Sequence, residues 1–176
     1  MPQPPDPPAP DSPVPDSTHS FALPVDRANL LQHPAATATD AYVLEAQVGH
    51  LLRKAHQRHV SLFTQIFGVD GLTPMQYAAL VKISELGEVS QNLLGRLVAM
   101  DPATSQGVVK RLTDHGLVSR KDDPHDRRRA LLSLTEVGRT LIDTQIPLGR
   151  VASAETLAPL SAEERSLFLS LLSKLT

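Results

Sequence analysis

The sequence predicts a mainly α-helical protein with one small β-hairpin, and three observations support this fold class. Beyond residue 40, apolar residues recur at three- and four-residue spacings. Patterns typical of helix N-caps precede several of these segments, and glycines follow some of them. Only two short segments, Leu117–Lys121 and Ala130–Leu134, have the composition of strands.

Length and composition predict one domain preceded by a tail. The chain has 176 residues, of which 41% are hydrophobic and 20% charged, enough for a sizeable core. Nine of the 15 prolines lie in the first 24 residues, where almost nothing can be buried. We therefore expect residues 1–24 to form a disordered, Pro-rich tail.

The absence of cysteine excludes several kinds of site. Disulfides, thiolate zinc sites, iron–sulfur clusters and cysteine-based redox sensing all need this residue. No apolar run approaches 18 residues, and the first residues lack the basic and apolar regions of a signal peptide. We expect a cytoplasmic protein without a membrane partner.

The charge distribution weakly favours an anionic partner. The net charge is −2, but residues 1–26 carry four acids and no Lys or Arg, which leaves +2 for the remainder. Residues 105–129 carry seven basic and four acidic side chains, a local excess of +3. On charge alone, a solvated surface is an equally good interpretation.

The first predicted element is one long amphipathic helix that starts at Asp40. Its apolar residues run from Leu44 to Phe67, and Gly68 and Gly71 end it. Thr73-Pro-Met-Gln76 then has the pattern of a capping box with proline at the first helical position, and it predicts a second helix.

Two further short helices follow. Gly87 ends the second helix and Ser90 caps a third that runs through Val98. Asp101-Pro102 begins a fourth, and Gly116 ends it as a left-handed cap.

The remaining elements are a hairpin and two helices. The two predicted strands pack on the helices. A fifth helix begins at Thr135 and runs toward Leu157, with a kink at Pro147. Ser161-Ala-Glu-Glu164 is a second capping box, which begins the last helix.

Three short helices followed by a hairpin predict a winged helix-turn-helix, in which one helix enters the major groove of DNA. At about 100° per residue, the fourth helix places Val108, Val109 and Leu112 on one side. The other side and its flanks carry residues that can contact bases and phosphates: Thr104, Gln106, Lys110 and Arg111. An ordinary amphipathic surface helix is the alternative.

The hairpin tip favours DNA binding. Arg127, Arg128 and Arg129 are adjacent, so they repel one another unless an anion lies nearby. A wing that enters the minor groove needs such cations, and Asp126 can orient the Arg128 guanidinium. A merely solubilising hairpin is the alternative.

At this point the sequence resembles the multiple antibiotic resistance regulator (MarR) family of bacterial transcription factors. The most specific text is Gly-Leu-Val followed by Asp-x-Arg-Arg and Leu-Thr-x-x-Gly. The matching segments are Gly71–Leu80, Val89–Leu97, Asp101–Thr104, Arg111–Val118, Asp123–Arg128 and Leu134–Arg139. The wording is closest to members that control aromatic-acid catabolism, such as nicotinate or hydroxybenzoate pathways.

The resemblance implies a MarR-type domain over residues 41–176, with a DNA-binding lobe at about 72–138. It implies an obligate homodimer joined by helices at about 41–67 and 140–176, a pseudo-palindromic operator on double-stranded DNA, and release by a small aromatic ligand. In that pattern Arg128 is the wing-tip arginine and Asp126 its positioning partner.

Some branches of the family do not fit. The peroxide-sensing branch needs cysteine. The urate-responsive branch needs a tryptophan, which is absent, and an Asp and an Arg where this chain has Ala78 and Val108.

Four residues are candidates for an effector site between the long helix and the DNA-binding lobe. Arg53, His56 and His59 can hold a carboxylate, and Tyr77 can pack on an aromatic ring. The alternative is that His59 is a core histidine and Arg53 a surface or dimer-contact residue. A metal site has weaker support because no clear ligand set is visible.

We therefore predict a ligand-responsive transcriptional regulator, most simply a repressor of aromatic-acid catabolic or efflux genes that is released by a small aromatic carboxylate. The sequence contains no G-x-S-x-G, phosphate loop, H-E-x-x-H or paired-carboxylate motif, so we expect neither an enzyme nor a cofactor. The alternatives are a structural or adaptor winged-helix dimer and a metal-responsive repressor.

Overall fold

The structure is a computed structural model, and it describes residues 32–33, 35, 41–69, 71–124 and 129–176. Residues 44–176 form one compact unit. The prediction of a disordered tail at residues 1–24 lies outside the described residues. Within the described ranges, no helix is both long and apolar enough to cross a membrane.

The compact unit consists of helices and a small sheet, in a fixed chain order. A 3₁₀ turn at Leu44–Ala46 comes first. The elements that follow are α1 (Val48–Phe67), α2 (Pro74–Leu86), β1 (Glu88–Ser90), α3 (Gln91–Leu97), α4 (Pro102–Asp114), β2 (Val118–Asp122), β3 (Ala130–Leu134), α5 (Glu136–Thr156) and α6 (Ala162–Leu172).

The predicted start of the first helix at Asp40 is wrong. The helix begins at Val48, because Gln47 has an extended backbone (φ −78°, ψ 132°) that separates it from the 3₁₀ turn. The helix has no side-chain N-cap at this end. Apolar spacing continues from Leu44 across this break, so periodicity alone gives no sign of it.

The predicted N-caps are confirmed. Thr73 and Ser161 each form a complete capping box, in which the hydroxyl accepts the N3 amide proton and the N3 side chain accepts the cap's N–H. Ser90, Asp101 and Thr135 also accept an amide hydrogen bond from the first turn of their helices. These caps fix where α2–α6 begin.

Gly116 ends α4 in the left-handed conformation (φ +69°), as predicted. Its N–H donates to the Thr113 carbonyl and the Leu117 N–H donates to the Leu112 carbonyl, both at 2.9 Å. This is the Schellman arrangement, and it turns the chain directly into β2.

The sheet has three antiparallel strands in the order β1-β3-β2, so the predicted two-stranded hairpin is incomplete. Sequence analysis missed β1 because three residues are too few to show alternation. Its Val89 pairs with Leu132 on β3. The other side of β3 pairs with β2, which lies one residue later than predicted.

The core lies between α2, α3, α4, the sheet and the first half of α5. Its fully buried large side chains are Leu80, Ile83, Leu94, Leu112, Val118, Leu132 and Ile142. Three helices closed by a small sheet form a winged helix-turn-helix, so the predicted fold class is confirmed.

The junction of β2 and α5 leaves no room for a side chain at Gly138. A Cβ there would lie 2.1 Å from the Leu117 carbonyl oxygen. The Thr135 hydroxyl donates to the Gly116 carbonyl at 2.7 Å and accepts the Gly138 N–H at 3.0 Å. These bonds hold the first turn of α5 against the end of α4.

We expect Gly138→Ala to lower the free energy of unfolding by about 3 kcal/mol, because a backbone oxygen cannot move aside as a flexible side chain can. Gly49→Ala is the matched control, since a Cβ at Gly49 on α1 meets nothing within 4 Å. The control should raise stability by about 0.5 kcal/mol through helix propensity. Urea denaturation at one protein concentration measures both, and equal effects would contradict this description of the junction.

Candidate DNA interface and ligand site

Helix α4 has one buried face and one exposed face. Ser105, Val108, Val109 and Leu112 are buried in the core. Three of the four predicted contact residues on this helix are exposed, and the fourth, Thr104, is half-buried; the exposed ones are Gln106, Lys110 and Arg111. The two faces therefore lie as the helical spacing predicts.

The start of α4 is organised by Asp101. Its carboxylate accepts the Thr104 N–H at 3.0 Å and the Thr104 hydroxyl at 2.5 Å. These hydrogen bonds, the side-chain one foremost, hold the pKa of Asp101 below its usual value. Because the Thr104 hydroxyl donates its proton to the cap, Thr104 can offer DNA only an acceptor.

The two cations on α4 are held differently. Lys110 forms an ion pair with Asp114 at 2.6 Å, one turn further along. Arg111 lies along the helix, close enough that a Cβ at Gly107 would be 3.6 Å from its Nη2. Lys110 thus shares its charge with a carboxylate, and its side chain remains 74% exposed.

Gln106 is free to pair with another molecule. Within the described ranges, no group hydrogen-bonds its amide. It lies in a shallow surface depression together with Gln91, Val109, Lys110, Thr113, Asp114 and Arg120. An amide that is exposed in this way can donate and accept together, as base-edge recognition of adenine requires.

The predicted wing-tip residues Asp126, Arg127 and Arg128 lie outside the described residues. The strands on either side, β2 and β3, are described, and the Asp123 N–H donates to the Arg129 carbonyl at 3.0 Å. The sequence therefore predicts the tip, and the structure describes its base.

Two arginines near the wing were missed as candidate contacts. Arg120 and Arg129 line a second depression with residues from the start of α3: Ser90, Gln91 and Asn92. A signal was present, because alternation along β2 places Arg120 on the same side as buried Val118. Sequence analysis counted Arg120 only as part of the basic excess.

His59 joins α1 to the end of α5. Its Nδ1 lies 2.9 Å from the Thr156 hydroxyl, and that hydroxyl donates its only proton to the Ala152 carbonyl at 2.7 Å. Nδ1 must therefore be the donor, which leaves Nε2 unprotonated in the neutral ring. Burial, and then the nearby His56, lowers the pKa of His59.

Tyr77 completes an aromatic cluster. Its ring contacts Phe63 and Phe67 edge-on, with centroids 5.6 Å and 5.4 Å away. Its hydroxyl lies so close to α5 that a Cβ at Gly149 would be 2.1 Å from it. Burial raises the pKa of Tyr77 against the opposing effect of Arg150, so its hydroxyl keeps its proton at neutral pH.

The structure brings two of the four predicted effector residues together. His59 and Tyr77 both contact Phe63, whose ring centroid lies 5.9 Å from that of His59. His56 and Arg53 are exposed on α1, and the Arg53 guanidinium lies 3.3 Å from Nδ1 of His50. Sequence analysis treated Phe63 only as a helix residue and missed its central position.

Among the described residues, no group of three or more His, Asp or Glu side chains is arranged to hold a metal ion.

Comparisons with known proteins agree with this geometry. Residues 70–129 match the model of the MarR family. The chain is 42% identical over 134 residues to the transcriptional repressor NicR of Pseudomonas putida, which covers 76% of this chain and 85% of that relative.

Solved structures show the same fold. A probable transcriptional regulator from Pseudomonas aeruginosa is 46% identical, with a TM-score of 0.73 over 76% of this chain and all of that one. BpsR of Bordetella bronchiseptica, whose DNA binding is regulated by 6-hydroxynicotinic acid, is 36% identical. Its TM-score is 0.74, over 77% of this chain and 97% of that one.

We expect Gln106→Ala to weaken binding to a preferred duplex by roughly 1–3 kcal/mol and to leave binding to random duplex almost unchanged, because an amide reads bases and carries no charge. Lys110→Ala is the contrasting variant, since loss of a cation weakens binding to both duplexes alike. Fluorescence anisotropy with both duplexes measures this, and equal losses for Gln106→Ala would refute its role in base recognition.

Proposed function

Because this chain belongs to the MarR family of transcriptional regulators, we propose that it is a repressor that binds a pseudo-palindromic operator and is released by a small aromatic carboxylate, of the nicotinate or benzoate type. The prediction that it is a transcriptional regulator and not an enzyme is confirmed by this membership. The observation that carries the proposal is the exposed face of α4, where Gln106 has no partner within the described residues.

In the proposed complex, α4 enters the major groove and the wing reaches the adjacent minor groove. Gln106 reads bases, while Arg111 and Lys110 contact phosphates. The DNA-binding lobe is the segment at about 72–138, and Arg127 and Arg128 at the tip bind in the minor groove with Asp126 as the positioning residue. The repressor NicR and the DNA-binding protein BpsR support this assignment by similarity.

A homodimer is proposed because the protomer exposes a large apolar surface at its ends. No residue of α6 is buried within the protomer. Leu167 and Leu175 are 60% and 71% exposed, and Leu51 and Leu52 on α1 are exposed as well. A second copy that covers the helices at about 41–67 and 140–176 would remove this surface from water.

We expect the wild-type protein to sediment as a dimer at micromolar concentration, and Leu171→Asp to dissociate it, because each dimer would bury two unpaired carboxylates. The dissociation constant should rise by at least about a hundredfold. Ser166→Asp is the matched control, since Ser166 lies on the opposite, polar side of α6. Analytical ultracentrifugation decides, and a monomeric wild type would contradict the dimer.

The effector site is proposed at the junction of α1, α2 and α5. His59, Phe63 and Tyr77 supply one imidazole and two rings there, and Arg53 lies further along the same face of α1 toward its start. Neutral His59 has no proton on Nε2, so a carboxylate that binds this atom requires protonation of the ring. Regulation of BpsR by 6-hydroxynicotinic acid supports the class of ligand.

Release follows from geometry and linkage. Two recognition helices must lie about 34 Å apart to meet successive major grooves on one face of the duplex. A ligand that prefers a different spacing by about 2–3 kcal/mol lowers DNA affinity by the corresponding factor, and operator DNA lowers ligand affinity equally. Because His59 connects α1 to α5, a ligand there acts on the elements that hold the lobe.

We expect calorimetry to show binding of 6-hydroxynicotinate or a benzoate-like acid whose affinity rises as the pH falls from about 8 to 6. The pKa of His59 is lowered in the free protein and would be raised by a bound carboxylate, so binding takes up a proton in this range. His59→Ala should abolish the pH dependence, and Arg53→Ala should weaken binding at every pH. Undiminished affinity in both variants would move the site elsewhere.

The function as a whole is tested by selecting duplexes from a random library with the full-length protein. We expect two related half-sites, with centres about 10 base pairs apart, and dissociation when the aromatic acid is added. Selection of no sequence would contradict the proposed function.

A further inference from the structure

Two shallow depressions next to α4 share Gln91 and Arg120. The first lies between α3 and α4 and contains Gln106 and Lys110. The second lies between the start of α3 and the wing strands, and it contains Asn92 and Arg129. Arg120 therefore stands between the exposed face of α4 and the base of the wing.

Strand pairing fixes the direction of Arg120. On β3, Leu132 lies opposite Arg120 and Leu134 lies opposite Val118. Both leucines and Val118 are buried, so Arg120 belongs to the side of the sheet that faces the helices. The next residue, Lys121, is on the other side of the sheet.

The charges of Arg120 and Arg129 are not neutralised within the described parts of the chain. The ion pairs there involve Lys82, Lys110 and Arg139. Asp114, the carboxylate that lines the first depression, is the partner of Lys110. Two exposed guanidinium groups beside the Gln91 and Asn92 amides present several donors to one anion.

The duplex supplies an anion at this place. If α4 lies in the major groove and the wing in the adjacent minor groove, one sugar–phosphate strand separates the two grooves and must pass between these elements. Arg120 stands at that position, between the depression beside α4 and the one beside the wing.

We propose that Arg120, together with Gln91, Asn92 and Arg129, binds phosphates of the DNA strand that runs between the recognition helix and the wing. This inference rests on the proposed DNA binding and adds contacts that position the lobe without reading bases. It assigns a role to residues that lie outside the predicted readout helix and wing tip.

The test is the salt dependence of binding to a duplex that the full-length protein has selected, followed by anisotropy between about 50 and 200 mM KCl. Each lost phosphate contact should reduce the slope of log K against log salt by about 0.9, so Arg120→Ala should reduce it by about 1.8 in a dimer. Affinity near 100 mM salt should fall roughly tenfold for each contact. Arg129→Ala should act in the same direction.

Two controls separate a phosphate contact from a general loss of charge. Arg120→Lys keeps the cation and should retain most of the slope. Lys121→Ala removes an equal charge from the adjacent residue on the other side of the sheet, and its slope should stay that of the wild type. A melting curve for each variant identifies any that fail to fold.

The outcomes are distinct from those of the proposed function. If the wild type binds no duplex, the proposed function fails and this inference with it. If the wild type binds while Arg120→Ala and Arg129→Ala keep its slope, or Lys121→Ala loses as much as Arg120→Ala, the phosphate contact is refuted and the proposed function stands.

Discussion

The burial of one face of α4 is the constraint on which the interface depends. Val108, Val109 and Leu112 are almost completely buried, and they pack with Leu94 and Leu132 into one core. This packing fixes the rotation of α4 about its axis, so Gln106 and Arg111 must face solvent. Any variant that loosens this face would therefore change the direction of every proposed base contact.

Much of the fold could be predicted from local signals. Thr73, Asp101 and Ser161 cap their helices as their sequence neighbours indicate, because capping depends on side chains within four residues. The break at Gln47 was not predictable, since apolar spacing runs through it. Strand β1 was missed because it depends on a pairing with β3 that is distant in sequence.

The candidate site shows the same division. The exposed side of α4 follows from helical spacing, so Gln106 could be identified before the structure. The meeting of His59 with Thr156 and of Tyr77 with Gly149 joins residues far apart in the chain, and no local pattern encodes it. Arg120 matters only because β2 lies beside α3, which the sequence does not state.

Interference footprinting tests the central claim most directly, that two copies of α4 read one face of a duplex. Guanines in the selected duplex are methylated at N7, an atom exposed in the major groove, and bound and free DNA are compared. The account predicts two major-groove patches about 10 base pairs apart where methylation blocks binding, related by two-fold symmetry. A single patch, or binding unaffected by methylation in a duplex with guanines in both half-sites, would contradict it.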